Sequence, residues 1–386
     1  MRILVVDDAT NIRILLARML RKWGHDVVTA RDGAEAWDIL CEEPIPLVIS
    51  DWMMPKMDGL ELCARVREAN LPKYVYFMLL TSRNETDDLV TGMASGADDF
   101  VAKPFDWHEL KARLRAAGRV LSLQDQLAER NERLEEAYRK LRADLDTASS
   151  IQRALLPQDD TVINGVTFSS LFLPSAFVAG DTFDYFPVGE DFIGFYHLDV
   201  AGHGVSSALL SVTLSRVLHP EFDSGVHAAD SATSPDRVVR ALNERFQASD
   251  HAMQYFTMVY GLLHYPTRVL KYCQAGHPSP IVLPARGEPR LIGDGGFPVG
   301  LLPGVSFETN EVELNAGDKV ILYSDGITEC VAENREQYGE GRLMKLLHAS
   351  RDAGMGVAMS RLEQALAAWK GQREFDDDVS LLALQC

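Results

Sequence analysis

The hydrophobic positions of the first hundred or so residues fall into short continuous runs separated by amphipathic stretches. RILVV is followed by a helical pattern from Asn11 to Lys22 that stops at Gly24. VVTA precedes a second helix from Gly33 to Cys41, and LVIS is closed by Asp51. YVYFMLLT is closed by Thr81, and DDFVAKP holds a fifth strand. Uninterrupted apolar strands alternating with helices predict an α/β domain, a doubly wound five-stranded parallel sheet covered on both faces. This domain is expected over residues 1–118.

From Gly118 to Gln158 the period changes. Proline is absent until Pro157, and the stretch is dense in Leu, Ala, Glu, Arg, Lys and Gln, the strongest helix formers. Val120, Leu127, Leu134, Leu141, Ala148 and Leu155 share one heptad register; Gln124, Asn131, Tyr138, Leu145 and Gln152 share a second, four residues on. That spacing is an a/d seam, and residues 119–156 are expected to form a helical linker pairing with a second copy as a parallel homodimer. The polar Asn131 at an a position favours a fixed register. A solvated single-helix spacer, or an antiparallel pairing with another helix of the same chain, fits the same composition.

Beyond Pro157 the pattern is again different. Short strand-like runs, VTFSSLFL, DFIGFYHLDV, YFTMVYGLLHY, VLKYCQA, PIVL, VSFETNEVEL and KVILYS, are separated by Gly and Pro turns. Helical stretches interrupt them at about Val205–Leu218, Pro235–Ala248, 341–351 and 356–369. An α+β two-sheet antiparallel sandwich flanked by helices is expected over 157–386. The polar connection EFDSGVHAADSATSP reads as a surface loop or a flap over a site.

Composition narrows the function classes. With 38 basic and 56 acidic residues the net charge is −18, and no basic cluster stands outside the linker helix, which argues against nucleic acid as a partner. The 5 cysteines are scattered and form no C-x-x-C, as expected for reduced thiols in a cytoplasmic protein. No apolar run reaches the length of a membrane span, and the chain opens on a strand rather than a signal peptide.

Candidate chemistry gathers at the strand ends. Asp7 and Asp8 follow the first strand, Asp51 the third, Thr81 the fourth and Lys103 the fifth. In such sheets the carboxyl ends of the strands carry the site. Three converging carboxylates call for a hard cation, Mg²⁺, and a carboxylate beside Mg²⁺, a lysine and a hydroxyl is able to accept a phosphoryl group. With D-x-M-M-P-K-M-D-G and K-P in the same order, this part resembles the CheY-like receiver domains of two-component response regulators. The resemblance implies that Asp51 is the phospho-acceptor, supplied by a cognate histidine kinase. It also implies that Asp7, Asp8, Asp51 and the Met53 carbonyl ligate Mg²⁺, that Lys103 pairs with the phosphoryl group, and that Thr81 and Phe100 act as the switch pair. Phe100 stands where tyrosine is commoner, and Lys103–Pro104 is expected to be cis.

The C-terminal part carries acidic residues at its strand ends too: Asp181, Asp199, Asp325 and the run Asp376-Asp377-Asp378. Without a Cys–His cluster, oxygen-only ligation points to Mg²⁺ or Mn²⁺, and four carboxylates suffice for two ions and an in-line displacement on phosphorus. Taken alone, Asp325–Gly326 reads as a hairpin turn. The order G-D…D-V-x-G-H-G…A-G-H-x-P…S-D-G-I-T-E…D-D-x-S resembles the SpoIIE/RsbU group of metal-dependent serine/threonine phosphatases, relatives of the type-2C enzymes, and IQRALLP resembles that group's lead-in. By that resemblance Asp181, Asp199, the Val200 carbonyl, Asp325 and Asp377 hold two Mn²⁺ or Mg²⁺ ions, Asp377 being chosen because it lies three before Ser380. Asp184, His203 and His277 are further candidates. The implied substrate is a phosphorylated STAS-domain anti-sigma-factor antagonist. A non-catalytic adaptor built on the same fold is the alternative.

Overall fold

The computed structural model describes residues 1–69, 71–82, 96–104, 106–158, 160–220, 234–247 and 255–386. The connection expected to be a loop or flap lies almost wholly outside them. The chain divides into two compact units, Met1–Arg139 and Lys140–Cys386.

In the first unit β1 (Arg2–Val6), β2 (Asp26–Ala30), β3 (Leu47–Asp51), β4 (Tyr76–Ser82) and β5 (Asp99–Lys103) form one sheet in the order β2-β1-β3-β4-β5. Every pairing is parallel. The alternation of side chains across a strand sends Ile3, Val5 and Ile49 to one face and Leu4, Val6 and Val48 to the other, and both faces are covered. Helices α1 (Thr10–Lys22), α2 (Gly33–Glu42) and α3 (Gly59–Glu68) supply the covering side chains. α3 begins with a reciprocal capping box between Asp58 and Glu61, which fixes the loop after β3.

Helix α4 (Trp107–Leu155) is continuous over 49 residues. Its first turns bury Leu110, Leu114, Ala117 and Leu121 in the core of the first unit. Further along, the a/d residues Leu127, Leu134, Tyr138 and Leu141 are 55–69% exposed. The seam register does not extend through Gln152 as the heptads predicted. Gln152 is buried in the second unit, where its amide donates to the Ala179 carbonyl (2.7 Å) and accepts from the Ala179 N–H (2.9 Å). A side chain matched to both backbone groups of one residue is worth more there than at a helix–helix seam, because the alternative leaves buried backbone groups unpaired.

The second unit is a sandwich of two antiparallel sheets. One has the order β14-β11-β10-β9-β8, built from β8 (Thr182–Val188), β9 (Phe192–Val200), β10 (Phe256–His264), β11 (Val269–Ala275) and β14 (Asn310–Glu313). The other has the order β13-β12-β15-β16-β7-β6, built from β6 (Thr161–Ile163), β7 (Val166–Leu173), β12 (Ile281–Leu283), β13 (Arg290–Leu291), β15 (Lys319–Tyr323) and β16 (Val379–Gln385). Between the sheets lie Phe168, Phe183, Phe195, Val259, Leu322 and Leu382. On the outside, α5 (Val205–Leu218) and α6 (Pro235–Arg245) cover the first sheet. α7 (Glu340–Ala349) and α8 (Met355–Lys370) cover the second. Two expectations need correction. VSFETNEVEL is a strand only over Asn310–Glu313, and TFDYFPV, absent from the expected strands, is the full strand β8. Its proline sits near the strand end, on a sheet-edge strand where the missing N–H is tolerated.

Asp184 on β8 pairs across the sheet with Tyr196 of β9 and lies on the α5 side of that sheet with Phe186. This is the opposite face from the one Phe183 and Tyr185 send between the sheets, so Asp184 is not a member of the acidic group described below. Its Oδ1 accepts from the Tyr185 N–H (2.8 Å), and burial pushes its pKa up to about 6. The folded state therefore keeps this proton where the unfolded chain has lost it, so stability falls as pH rises from about 4 through about 6. Asp184→Asn should be more stable than the parent at pH 7.5 by about 2 kcal/mol, a rise of roughly 4–8 °C in Tm, with the gain vanishing at pH 4. Melting curves across that range, with no gain at pH 7.5, would refute the assignment.

Candidate functional site

In the first unit the strand ends meet as the sequence requires. Oxygens of Asp7, Asp8 and Asp51 all lie within 4.8 Å of one another. Asp7 is fully buried, Asp8 exposed and Asp51 half-buried, which grades the cluster from sheet interior to solvent. Lys103 Nζ reaches both Asp7 Oδ2 (3.0 Å) and Asp51 Oδ1 (2.8 Å). Burial raises the Asp51 pKa, Lys103 opposes that rise and Asp7 adds to it. The peptide Lys103–Pro104 is cis. Gly59 of the D-G pair is required by contact: a β-carbon there would sit 2.2 Å from the Asp51 carbonyl oxygen. Met53 follows in the loop after β3, with 76% of its surface exposed. Thr81 lies at the end of β4, and Phe100 on β5 is half-buried against the core that contains Leu79. An all-oxygen donor set with one lysine on its inner side fits a hard divalent cation.

In the second unit the site forms where the inter-sheet layer turns from apolar to polar at one end. On β9, Phe195 is followed at spacings of two by His197 and Asp199; on β16, Leu384 and Leu382 lead back to Ser380. Ser324 follows the last residue of β15 in the same alternation, and Thr257, the second residue of β10, pairs with Asp199. Asp181 stands one residue beyond the Thr182–Leu198 pair, opposite Asp199. Antiparallel pairing thus brings starts and ends of five strands, β8, β9, β10, β15 and β16, to one mouth of the sandwich.

Electrostatics mark this mouth out. Asp181 is 1% exposed, and burial first, then Asp199 and Asp378, hold its pKa well above the carboxylate range. Burial and then Asp325 and Asp377 push Asp199 up to about 7. Asp325 and Asp377 are raised as well, by burial first, then by Glu329 and Asp325 respectively; His203 opposes the rise at Asp377. The four aspartates are set wider than the trio of the first unit, no three of their oxygens lying within 4.8 Å among the described residues. Buried carboxylates whose strongest charged neighbours are other carboxylates call for cations.

Asp325 opens a helical turn, Asp325–Thr328, rather than a hairpin turn, and Gly326 packs so closely that a β-carbon would be 2.0 Å from the Asp378 carbonyl oxygen. Gly180 likewise approaches the Val200 carbonyl, which a β-carbon would meet at 2.9 Å. Within the triple, the structure separates roles. Asp378 accepts from the Ser175 N–H (2.7 Å), the Ser175 hydroxyl (2.9 Å) and the Gly180 N–H (2.8 Å), so it anchors the loop that presents Asp181. Asp376 and Asp377 are both exposed at the surface of the mouth, and the neighbouring charge of Asp325 adds to the rise at Asp377. Beside Asp377 a cavity of about 280 Å³ is lined by Gly326, Glu329, Cys330, Lys370 and Phe375. His203 is exposed at the rim and His277 buried. The loop anchor Asp378, and Ser380 and His197 beside the aspartates, were not singled out from sequence. Their signal is the two-residue spacing from a strand-end aspartate.

Comparison with known proteins matches both units of the chain at the level of the domain. The family profile for stage II sporulation protein E (SpoIIE) matches residues 189–386, and that for the response regulator receiver domain matches residues 3–115. The alkaline phosphatase synthesis transcriptional regulatory protein PhoP of Bacillus subtilis is 42% identical over 115 residues, 30% of this chain and 47% of that protein. Response regulator MprA of Mycobacterium avium is 42% identical over 118 residues, 30% of this chain and 50% of that protein. The chain thus spans about half the length of the curated relatives it matches. The SiaA-PP2C domain of Pseudomonas aeruginosa superposes with a TM-score of 0.57 at 21% identity, over 65% of this chain and 98% of that one, a likeness of fold. Among the described residues no helix is long and apolar enough to cross a membrane. With the SpoIIE profile covering half its length, this chain belongs to the SpoIIE family, its phosphatase-type domain preceded by a response-regulator receiver domain.

Proposed function

We propose that the chain is a response regulator whose output is a metal-dependent serine/threonine protein phosphatase. The observation that carries this reading is the mouth of the sandwich, where Asp181, Asp199, Asp325 and Asp377 are drawn together with pKa values raised by burial and by one another. Those four and the Val200 carbonyl would hold two Mn²⁺ or Mg²⁺ ions; bound there, the ions supply a nucleophilic water at neutral pH and neutralise charge on phosphorus. The protein's own part is positional. Asp378 ties the Ser175–Gly180 loop to β16, the glycines admit close backbone approach, and the cavity beside Asp377 gives a phosphorylated side chain room to enter. Among candidate substrates, a phosphoserine or phosphothreonine on a STAS-domain antagonist is the one the family resemblance favours.

In the receiver, the Asp51 carboxylate would take a phosphoryl group from a histidine kinase, with Mg²⁺ held by Asp7, Asp8, Asp51 and the Met53 carbonyl. Lys103, already in contact with Asp51, would pair with the new charge, and Thr81 and Phe100 would follow. The exposed leucines of α4 support a parallel homodimer through 119–156, since so thin an apolar stripe gains little from water and much from a second copy. Phosphorylation at Asp51 would then act on the phosphatase through α4, whose end is held by Gln152 at Ala179, two residues before Asp181.

Incubation with Mn²⁺ and phosphorylated STAS-domain proteins should release phosphate, and Asp325→Asn should lower that rate on the order of 10²–10³-fold while leaving substrate binding intact. Retained turnover in that variant, or binding without turnover in the parent, would favour the adaptor. Beryllofluoride bound at Asp51 should change the phosphatase rate, and equal rates would remove the coupling. Leu127→Asp combined with Leu134→Asp should convert a dimer to a monomer in sedimentation; an unchanged mass would leave α4 a single-helix spacer.

A further inference from the structure

A buried line of polar side chains runs from Asp181 into the interior of the sandwich, and nothing in the proposed phosphatase mechanism uses it. Ser380 Oγ is 2.5 Å from Asp181 Oδ2 and 2.9 Å from His197 Nε2. His197 Nδ1 is 2.8 Å from His277 Nε2, and His277 Nδ1 is 2.8 Å from Thr257 Oγ1. Ser380, His197 and His277 are 0–2% exposed. The line crosses from β16 to β9, on to the loop after β11 and back to β10, where Thr257 pairs with Asp199. It therefore begins at one aspartate of the site and ends beside another.

Its hydrogen bonds have only one consistent direction when Asp181 is ionised. A carboxylate only accepts, so the Ser380 hydroxyl donates to Asp181. Ser380 then accepts from His197 Nε2–H, which leaves His197 Nδ1 as an acceptor for His277 Nε2–H. His277 Nδ1 is in turn an acceptor, and the Thr257 hydroxyl donates to it. Each ring is thereby fixed as the Nε2–H tautomer, and the rotor of each hydroxyl is fixed with it. The rings are held from outside the line too. His197 stacks on Phe183 with centroids 5.9 Å apart, and Gln274 Nε2 donates to the His277 carbonyl (2.6 Å).

We infer that Thr257, His277, His197 and Ser380 form a positioning relay that orients the Asp181 carboxylate toward the divalent ions. The inference rests on the phosphatase reading above. These residues act through Asp181 and touch no substrate. A carboxylate ligand held by a directed network keeps its lone pairs aimed, and loss of such outer partners typically costs about 10–100-fold in metal affinity. The hydroxyl of Thr257 is the end of the line farthest along it from Asp181, so its removal tests the relay without touching Asp181, and the Thr257→Ser variant controls for its place beside Asp199.

The test measures Mn²⁺ binding to the full-length protein by electron paramagnetic resonance of the free ion, with ring tautomers read by ¹⁵N–¹H correlation on ¹⁵N-histidine-labelled, Mg²⁺-loaded protein. Thr257→Val and His277→Gln should weaken Mn²⁺ binding at the phosphatase site about 10-fold, and Thr257→Ser, which keeps the hydroxyl, should restore it. His197 and His277 should both carry their proton on Nε2. Wild-type affinity in Thr257→Val, or an Nδ1–H tautomer at either ring, would overturn the relay while leaving the phosphatase reading intact. Should the parent protein take up no Mn²⁺ at Asp181 and Asp199, the metal reading itself would fall, and the relay with it. If His277→Gln does not fold, the comparison of Thr257→Val with Thr257→Ser decides.

Discussion

The second unit depends on a concentration of like charge for which the described residues supply little neutralising charge. Asp181 and Asp199 face one another at the end of the inter-sheet layer, and the charges that act most strongly on them are further carboxylates. Such an arrangement is unfavourable by itself, since burial disfavours each ionised form and the neighbours add repulsion. It persists because backbone pairing places these residues before their charge is considered. The strand ladders from β8 to β10 and from β15 to β16 are closed by apolar contacts along the rest of their length. The cost is concentrated at the mouth, where a divalent cation would offset it.

The receiver meets the same difficulty on a smaller scale and with a partial remedy built in. There Lys103 reaches Asp7 and Asp51, so that cluster carries a cation of its own. The difference follows from sheet type. A parallel sheet gathers the carboxyl ends of all its strands on one edge, so a lysine from β5 falls beside aspartates from β1 and β3. In the antiparallel sandwich, starts and ends of strands alternate, and here they bring together aspartates, serines and histidines but no lysine from those strands.

Between these sites, α4 uses one surface in three ways along its length. Its early apolar residues close the receiver core, its middle ones are exposed, and near its end Gln152 is committed to the peptide at Ala179. A heptad pattern alone treats all these positions alike, because periodicity records which face a residue occupies and not what lies opposite it.

The order of strands and helices, the parallel and antiparallel classes and the identity of most site aspartates were legible in the sequence. These follow from apolar periodicity and from acidic residues placed where strands end. Lys103, Asp51 and Asp7, which the structure brings into contact, belong to this group, since each is tied to a short motif. What only the tertiary structure decided was which strands lie side by side. That fact put Asp378 on the Ser175–Gly180 loop, Asp184 on the helix-covered face, Gln152 inside the second unit and Thr257 in line with His277, His197 and Ser380. These partners lie tens to hundreds of residues apart, and local spacing carries no record of pairings made by sheet registry across such distances.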